Sequence, residues 1–526
     1  MKSIAVRTQT CREARSIGRN DDRYDHRTED GNGHYAVIDI GSNSVRLVVY
    51  DHLGRAPLPR FNEKSLCGLG DGLAETGELA KGAIEQTLHA LHRYTAVAAA
   101  MGVGRIDIIA TEAVRRAKNG PGLVQAIEKE TGLETHVLSG EEEARFAALG
   151  VISGFHRPKG LVGDLGGGSL DLAEVIVDRV GERRVSLPIG ALPTMVAMAG
   201  DPALAKQKID DLLAAELPPI LAFPTFYAVG GGWRALARVH MAMTDAPVKI
   251  AHGYGIDAEE ARAFAKAIRR LDKAAIAALP NVPTRRIKTL PAAALVMDRV
   301  LKRLKPEKVI FSALGLREGW LYEQLSDADR DLDPLIEGAR DFARPRSRIP
   351  AFGDALVRWT DVFFPDETAD ERRLRVAALA LSDIAWSDHA NVQARLSFER
   401  LIQFPFVGLD HAERVYLAAI IHARYDGKPD DPVLEPSVSL LSAQQRHRAQ
   451  ILGRAMLLGH RFSGSVPEIL DAARIAVEPD RVRLEVSNTE SVPDSDAVRS
   501  RLRSLAKAIG VRRSEIIKVD GFTNGL

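Results

Sequence analysis

The fold is decided by the stretch Val37-Ile38-Asp39-Ile40-Gly41-Ser42-Asn43-Ser44-Val45-Arg46-Leu47. It returns later in the chain as Val162-Gly163-Asp164-Leu165-Gly166-Gly167-Gly168-Ser169-Leu170-Asp171-Leu172. The two align on Asp39/Asp164, Gly41/Gly166, Ser44/Ser169 and Leu47/Leu172. In each, an apolar run enters a turn and another leaves it, as in a β-hairpin. Glycine permits positive φ in a tight turn and lets backbone N–H groups approach an anion with no Cβ in the way. A carboxylate beside such a turn can hold a hydrated Mg²⁺ that neutralises phosphate charge. One such turn is explained by a hairpin that needs glycine. Two, each with aspartate at the strand end, predict a duplicated domain gripping a phosphate chain between its halves.

Working outward from the first copy, residues 36–38 and 45–50 read as a hairpin and 60–66 as a third strand. An amphipathic helix over about 78–101 follows, with Leu79, Ala83, Leu88, Leu91 and Val97 on its apolar side. Residues 105–110 alternate as a short buried strand. Pro121 opens a helix that Gly132 closes. A strand at 134–138 and a helix from Ser139 to about 153 end the half. The order then restarts, with strands at 160–164, 170–177, 183–188, 226–229 and 308–311 and helices between them. The sequence therefore predicts an α/β protein with two βββαβα-type lobes, residues 34–153 and 154–330.

Beyond about Asp331 helical periodicity replaces strand signals, which predicts a helical domain over 331–430. The Pro/Asp-rich stretch 427–436 reads as a boundary, and 431–526 as a small C-terminal α+β module. At 526 residues the chain is too long for one core. The formal charge of +1 restricts any polyanion-binding surface to local patches. Cys11 and Cys67 make neither a metal motif nor a disulfide framework, which fits a reducing compartment, and the cytoplasm is expected. No apolar run reaches membrane-span length. Residues 1–33 lack the apolar core of a secretory signal and read as a disordered extension or a start placed too far upstream.

Further motifs supply side chains. In Ala110-Thr111-Glu112-Ala113-Val114-Arg115-Arg116, a strand end feeds a short helix, and Arg115 is placed to clamp a phosphate; a solvated basic face is the plain alternative. In Ser139-Gly140-Glu141-Glu142-Glu143, a capping box accounts for Glu142 and the helix dipole for Glu141. Neither needs Glu143, which shares a face with Phe146, Ala147 and Gly150. A carboxylate on an apolar face is costly unless paired or used. Glu143 therefore reads as a general base or water-orienting group. Gly230-Gly231-Gly232-Trp233-Arg234 is either a third anion-facing turn or an ordinary strand-to-helix turn. Late basic residues, Arg446, Arg448, Arg454 and Arg461 among them, are either a solvated helix face or a polyphosphate track. His389, His411 and His422 lack a neighbouring His-Asp pair, so no metal site is expected there.

Taken together, Asp39-Ile-Gly-Ser-Asn-Ser, Ala110-Thr-Glu-Ala-Val-Arg115, Gly140-Glu-Glu-Glu143-Ala-Arg, Asp164-Leu-Gly-Gly-Gly-Ser169 and Gly-Leu-Arg317-Glu-Gly closely resemble the exopolyphosphatase/guanosine-pentaphosphatase (Ppx/GppA) family in order and spacing. The resemblance is strong over about 34–325. It implies two actin-like, ribonuclease-H-like lobes of the ASKHA superfamily with a cleft between them, then an all-α domain related to HD proteins. By position, Glu143 falls on the catalytic glutamate. Asp39, Asp164 and Glu143 fall on metal positions, for Mg²⁺ or Mn²⁺. Ser42, Asn43, Arg115, Gly166, Gly167, Gly168, Ser169 and Arg317 fall on phosphate-binding positions. A homodimer is also implied.

The expected function is an exopolyphosphatase that releases terminal phosphate from inorganic polyphosphate. One alternative is the same chemistry on guanosine pentaphosphate, a stringent-response nucleotide. Another, of a different class, is a non-catalytic sensor of polyphosphate or an alarmone. No membrane partner and no specific nucleic acid are expected.

Overall fold

The computed structural model describes residues 33–217, 223–487 and 495–519, so residues 1–32 of the expected extension lie outside the described residues. The first sheet contains β1 (His34–Ile40), β2 (Val45–Tyr50), β3 (Pro59–Ser65), β4 (Val103–Ala110) and β5 (Thr135–Val137). Its order is β3-β2-β1-β4-β5; the first three strands are antiparallel and the last two run parallel to β1. The second contains β6 (Lys159–Leu165), β7 (Leu170–Ile176), β8 (Arg179–Leu187), β9 (Thr225–Val229), β10 (Tyr254–Asp257) and β11 (Lys308–Phe311). Its order is β10-β11-β9-β6-β7-β8. Read from β8 inward, it repeats the first sheet's order, with β10 added as an antiparallel edge. The repeat read from two glycine turns is thus a repeat of topology.

Between the sheets lie two helices, Gly140–Gly154 and Leu316–Glu323. One core joins them to Val37 and Tyr50 of the first sheet and to Val162 and Val229 of the second. Glycine allows the close approach. A Cβ on Gly319 would overlap the Phe146 carbonyl, and one on Gly150 would overlap Gly315. Each sheet has a second core on its outer face, where other helices cover it. The local signals hold. Ser139 and Glu142 form the capping box, and Gly132 closes its helix in the left-handed region at φ 71°.

From Pro334 onward helices dominate, but the expected division at residue 430 is not a division of cores. Leu335, Ile420, Leu452, Leu484 and Leu505 belong to a single apolar cluster. The long helix Ala443–Ser463 packs its buried face into it. A sheet of β12 (Ala473–Val477), β13 (Arg481–Ser487) and β14 (Arg513–Val519) closes one side. Among the described residues no helix is long and apolar enough to cross a membrane.

Candidate active site

The two glycine turns face each other across a cleft of about 210 Å³. A Cβ built on Gly167 would sit 3.4 Å from Ser42 Cβ. Each turn is closed by the same backbone bond, Gly41 N–H to Ser44 C=O and Gly166 N–H to Ser169 C=O, both 3.0 Å. None of Gly41, Gly166, Gly167 or Gly168 has positive φ, which corrects that part of the sequence reading. What these glycines supply is close approach: a Cβ on Gly168 would overlap the Glu112 carboxylate.

The second turn is braced from behind. The carbonyls of Gly166, Gly167 and Gly168 accept from the amides of Ala191, Leu192 and Gly190, at 3.2, 2.8 and 2.9 Å. In trans-planar peptides this turns the N–H groups of Gly167, Gly168 and Ser169 the other way, towards the cleft. Among the described residues none of the three donates a hydrogen bond. Three aligned amides make an anion cradle. The first turn is braced through Ser42 and Asn43 carbonyls, which accept from Gly70 and Gly68.

The charged side chains separate into two sets. On one side Arg317 Nη1 donates to Asp39 Oδ2 at 2.9 Å, and Arg46 and Arg234 stand beside it. Among the described residues Arg234 donates to the Ser312 and Ala313 carbonyls alone, both at 3.3 Å, and burial pulls its pKa down to about 10. Asp164, half-buried at the end of β6, receives no hydrogen bond among the described residues. Burial pushes its pKa up to about 6, against the pull of Arg234 and Arg317. On the other side lie Glu143, Asp171 and Glu112. Glu143 is only 6% exposed, so its position on the apolar face holds in three dimensions. Burial first, and then the charge of Asp171, raise its pKa; Arg115 opposes them. Asp171 is raised by its own burial and accepts from Ser186 and Ser169 hydroxyls.

Ser42, Asn43, Asp39, Glu143, Asp164, Gly166, Gly167, Gly168, Ser169 and Arg317 all line this cleft. Arg115 does not. Its Nη1 donates to the Leu138 carbonyl and to Glu143 Oε1, so it orients the glutamate. Glu143 lies in the same cleft as Asp39 and Asp164. Among the described residues no three acidic, His or Cys side chains converge on a metal position. Asp39 and Asp164 suit a different arrangement, a Mg²⁺ that keeps several waters and takes its remaining ligands from substrate phosphates. The four late arginines lie outside the cleft. Arg446 donates to the Leu441 carbonyl at 3.1 Å, Arg448 pairs with Glu371 at 3.2 Å, and Arg454 pairs with Asp426. Arg461 is exposed. Paired or bonded as they are, Arg446, Arg448 and Arg454 do not form a free cationic track.

A profile of the Ppx/GppA phosphatase family matches residues 48–328, more than half of the chain. The chain belongs to the Ppx/GppA phosphatase family. It is a phosphoanhydride hydrolase with the actin-like fold, and a second profile, "Exopolyphosphatase, C-terminal", matches residues 335–517. This Ppx/GppA protein is 30% identical over 319 residues to Exopolyphosphatase 1 of Mycobacterium tuberculosis, covering 58% of this chain and 91% of the relative. It is 28% identical over 433 residues to Retrograde regulation protein 2 of Saccharomyces cerevisiae, covering 74% and 72%. A solved Ppx/GppA member from Aquifex aeolicus superposes with a TM-score of 0.50 at 28% identity, over 56% of this chain and 100% of that one.

Asp171, Glu112 and Arg234 also line the cleft; the sequence offers Glu112 and Arg234 only within longer motifs and gives Asp171 no role. For Asp171 a signal existed. It stands in the second copy where Arg46 stands in the first, and both pair across the hairpin with the aspartate of their own turn.

Proposed function

We propose that this protein is an exopolyphosphatase that hydrolyses the terminal phosphoanhydride of linear inorganic polyphosphate. One observation carries the reading: a buried glutamate, oriented by an arginine, lies in the same cleft as an amide cradle. The relatives named exopolyphosphatase support the choice of substrate. The amides of Gly167, Gly168 and Ser169 bind the terminal phosphoryl oxygens and stabilise charge that grows as the bond to the leaving phosphate breaks. Ser42 and Asn43 touch the same group from the opposite lobe, and Arg317 steadies the next phosphate in line. Glu143 orients a water and takes its proton. A pKa raised towards working pH suits that task, because the group is basic enough to accept a proton and still ionises. Asp39 and Asp164 would hold Mg²⁺, which when bound supplies neutralising charge to the phosphate oxygens.

The test is Glu143→Gln. It is expected to lose on the order of 10²–10⁴ in kcat on long-chain polyphosphate while still binding the chain. Near-normal turnover in that variant rejects the base assignment. Faster phosphate release from guanosine pentaphosphate than from polyphosphate by the wild type replaces the substrate with the nucleotide.

A further inference from the structure

Behind the cleft lies a larger chamber of about 470 Å³, within the range of small-molecule sites. Arg46, Arg234 and Arg317 line both spaces, so these guanidiniums form the wall between them. The chamber is built by three parts of the chain. The segment between β2 and β3 gives Arg55 and Leu58, the second lobe gives Arg238 and Ile250, and the helical domain gives Phe406 and Arg414.

Two of its properties point to a ligand. The first is charge. Seven Arg and Lys side chains line it against one carboxylate, Glu318. Glu318 is already engaged by the Tyr50 hydroxyl at 2.8 Å and the Gly315 amide at 2.9 Å. Arg55 and Arg414 are buried and donate to backbone carbonyls, among them those of Ser153 and Phe406, and not to any carboxylate. Arg234 is likewise bonded to carbonyls alone, and Arg46 donates to the Asn62 side-chain oxygen at 2.8 Å. Arg317 and Lys249 pair outside the lining, with Asp39 and Asp245, so five of the seven cations have no bonded counter-ion among the described residues, which is costly where they are buried and which a bound anion relieves. The second property is an apolar remainder. Away from the arginine wall the lining includes Val48, Leu58, Ile250, Leu321 and Phe406, which offer a phosphate chain no hydrogen bonds from their side chains.

An anion alone satisfies the wall and leaves the apolar part wet. We propose that the chamber is a second ligand site, for an organic phosphate monoester. Its phosphate meets Arg46, Arg234 and Arg317, and its apolar or aromatic body fills the space beyond. Because the three arginines are shared, the occupant competes with a phosphate chain in the cleft and acts as an inhibitor.

Calorimetric titration with phenyl phosphate tests this, with inorganic phosphate and phenol as its two halves. It requires no turnover, so its outcome is separate from that of the polyphosphate assignment. Phenyl phosphate is expected to bind about 10- to 100-fold more tightly than inorganic phosphate, the gain from burying one ring. Leu58→Trp fills the chamber, and its backbone bonds with Asp51 do not involve the exchanged side chain. It should abolish that gain and leave inorganic phosphate binding and tripolyphosphate turnover unchanged, with Leu58→Phe intermediate. Equal binding of phenyl phosphate and phosphate overturns the proposal. So does a gain that survives in both variants, which puts the ring in the cleft. Loss of long-chain turnover alone in Leu58→Trp assigns the chamber to polyphosphate and also overturns it.

Discussion

The two glycine turns have the same place in two sheets of the same strand order, yet they are chemically opposite. Asp39 pairs across its hairpin with Arg46 and is bonded to Arg317. Asp164 pairs across its hairpin with Asp171 and has no donor among the described residues. Duplication supplied two turns of one shape, and one cross-strand position made one half cationic and the other acidic. Amides gather at the second turn, while the arginines of the cleft come from both lobes, Arg46 from the first and Arg234 and Arg317 from the second. A phosphate chain needs both, one to hold the reacting end and one to compensate the charge behind it.

The comparison breaks most sharply at the glycines. Gly168→Ala places a methyl group in the Glu112 carboxylate, whereas Gly41→Ala meets Ser44 O at 3.4 Å and Asp39 Oδ1 at 4.0 Å, both ordinary contacts. The first is expected to lose about 100-fold in kcat, the effect of moving reacting groups by roughly an ångström. The second should lose less than about tenfold, measured as phosphate release at saturating polyphosphate. Comparable losses would remove the distinction between the turns.

A smaller effect is expected at the aspartates. Asp164→Asn should raise the Mg²⁺ concentration for half-maximal activity by about tenfold or more. Asp39→Asn should raise it less, because Arg317 already shares that carboxylate.

The smallest effect sharpens the acidic half by its sign. Glu143 must be ionised to take a proton, so its pKa sets the acid limb of the rate–pH profile. The charge of Asp171 raises that pKa and Arg115 lowers it. Asp171→Asn therefore moves the limb to lower pH. Arg115→Gln moves it to higher pH, and activity lost at neutrality returns in alkali. Shifts in the same direction would mean that Glu143 does not set the limb.

The sequence shows what is local. Hairpins, the capping box and the buried face of Glu143 follow from spacing within a few residues, and they hold. Groups that meet from afar are hidden. Arg317 reaches Asp39 from 278 positions away. Arg115 looks like a phosphate clamp because its motif says nothing of the Leu138 carbonyl and Glu143 that take its protons. Arg448 and Arg454 look like part of a polyanion track for the same reason, since their partners Glu371 and Asp426 lie far off in sequence. The four-residue edge strand β10 is absent from the expected strands, and the expected boundary at 430 failed because the Ala443–Ser463 helix buries its apolar face in the preceding helices.

The glycine contacts between the Gly140–Gly154 and Leu316–Glu323 helices have a mechanical consequence. Glu143 and Arg317 ride on the first turns of these helices. Joined main chain to main chain, the pair is a strut between the two sheets, and the spacing of Glu143 and Arg317 is set by backbone contact and not by the packing of long side chains.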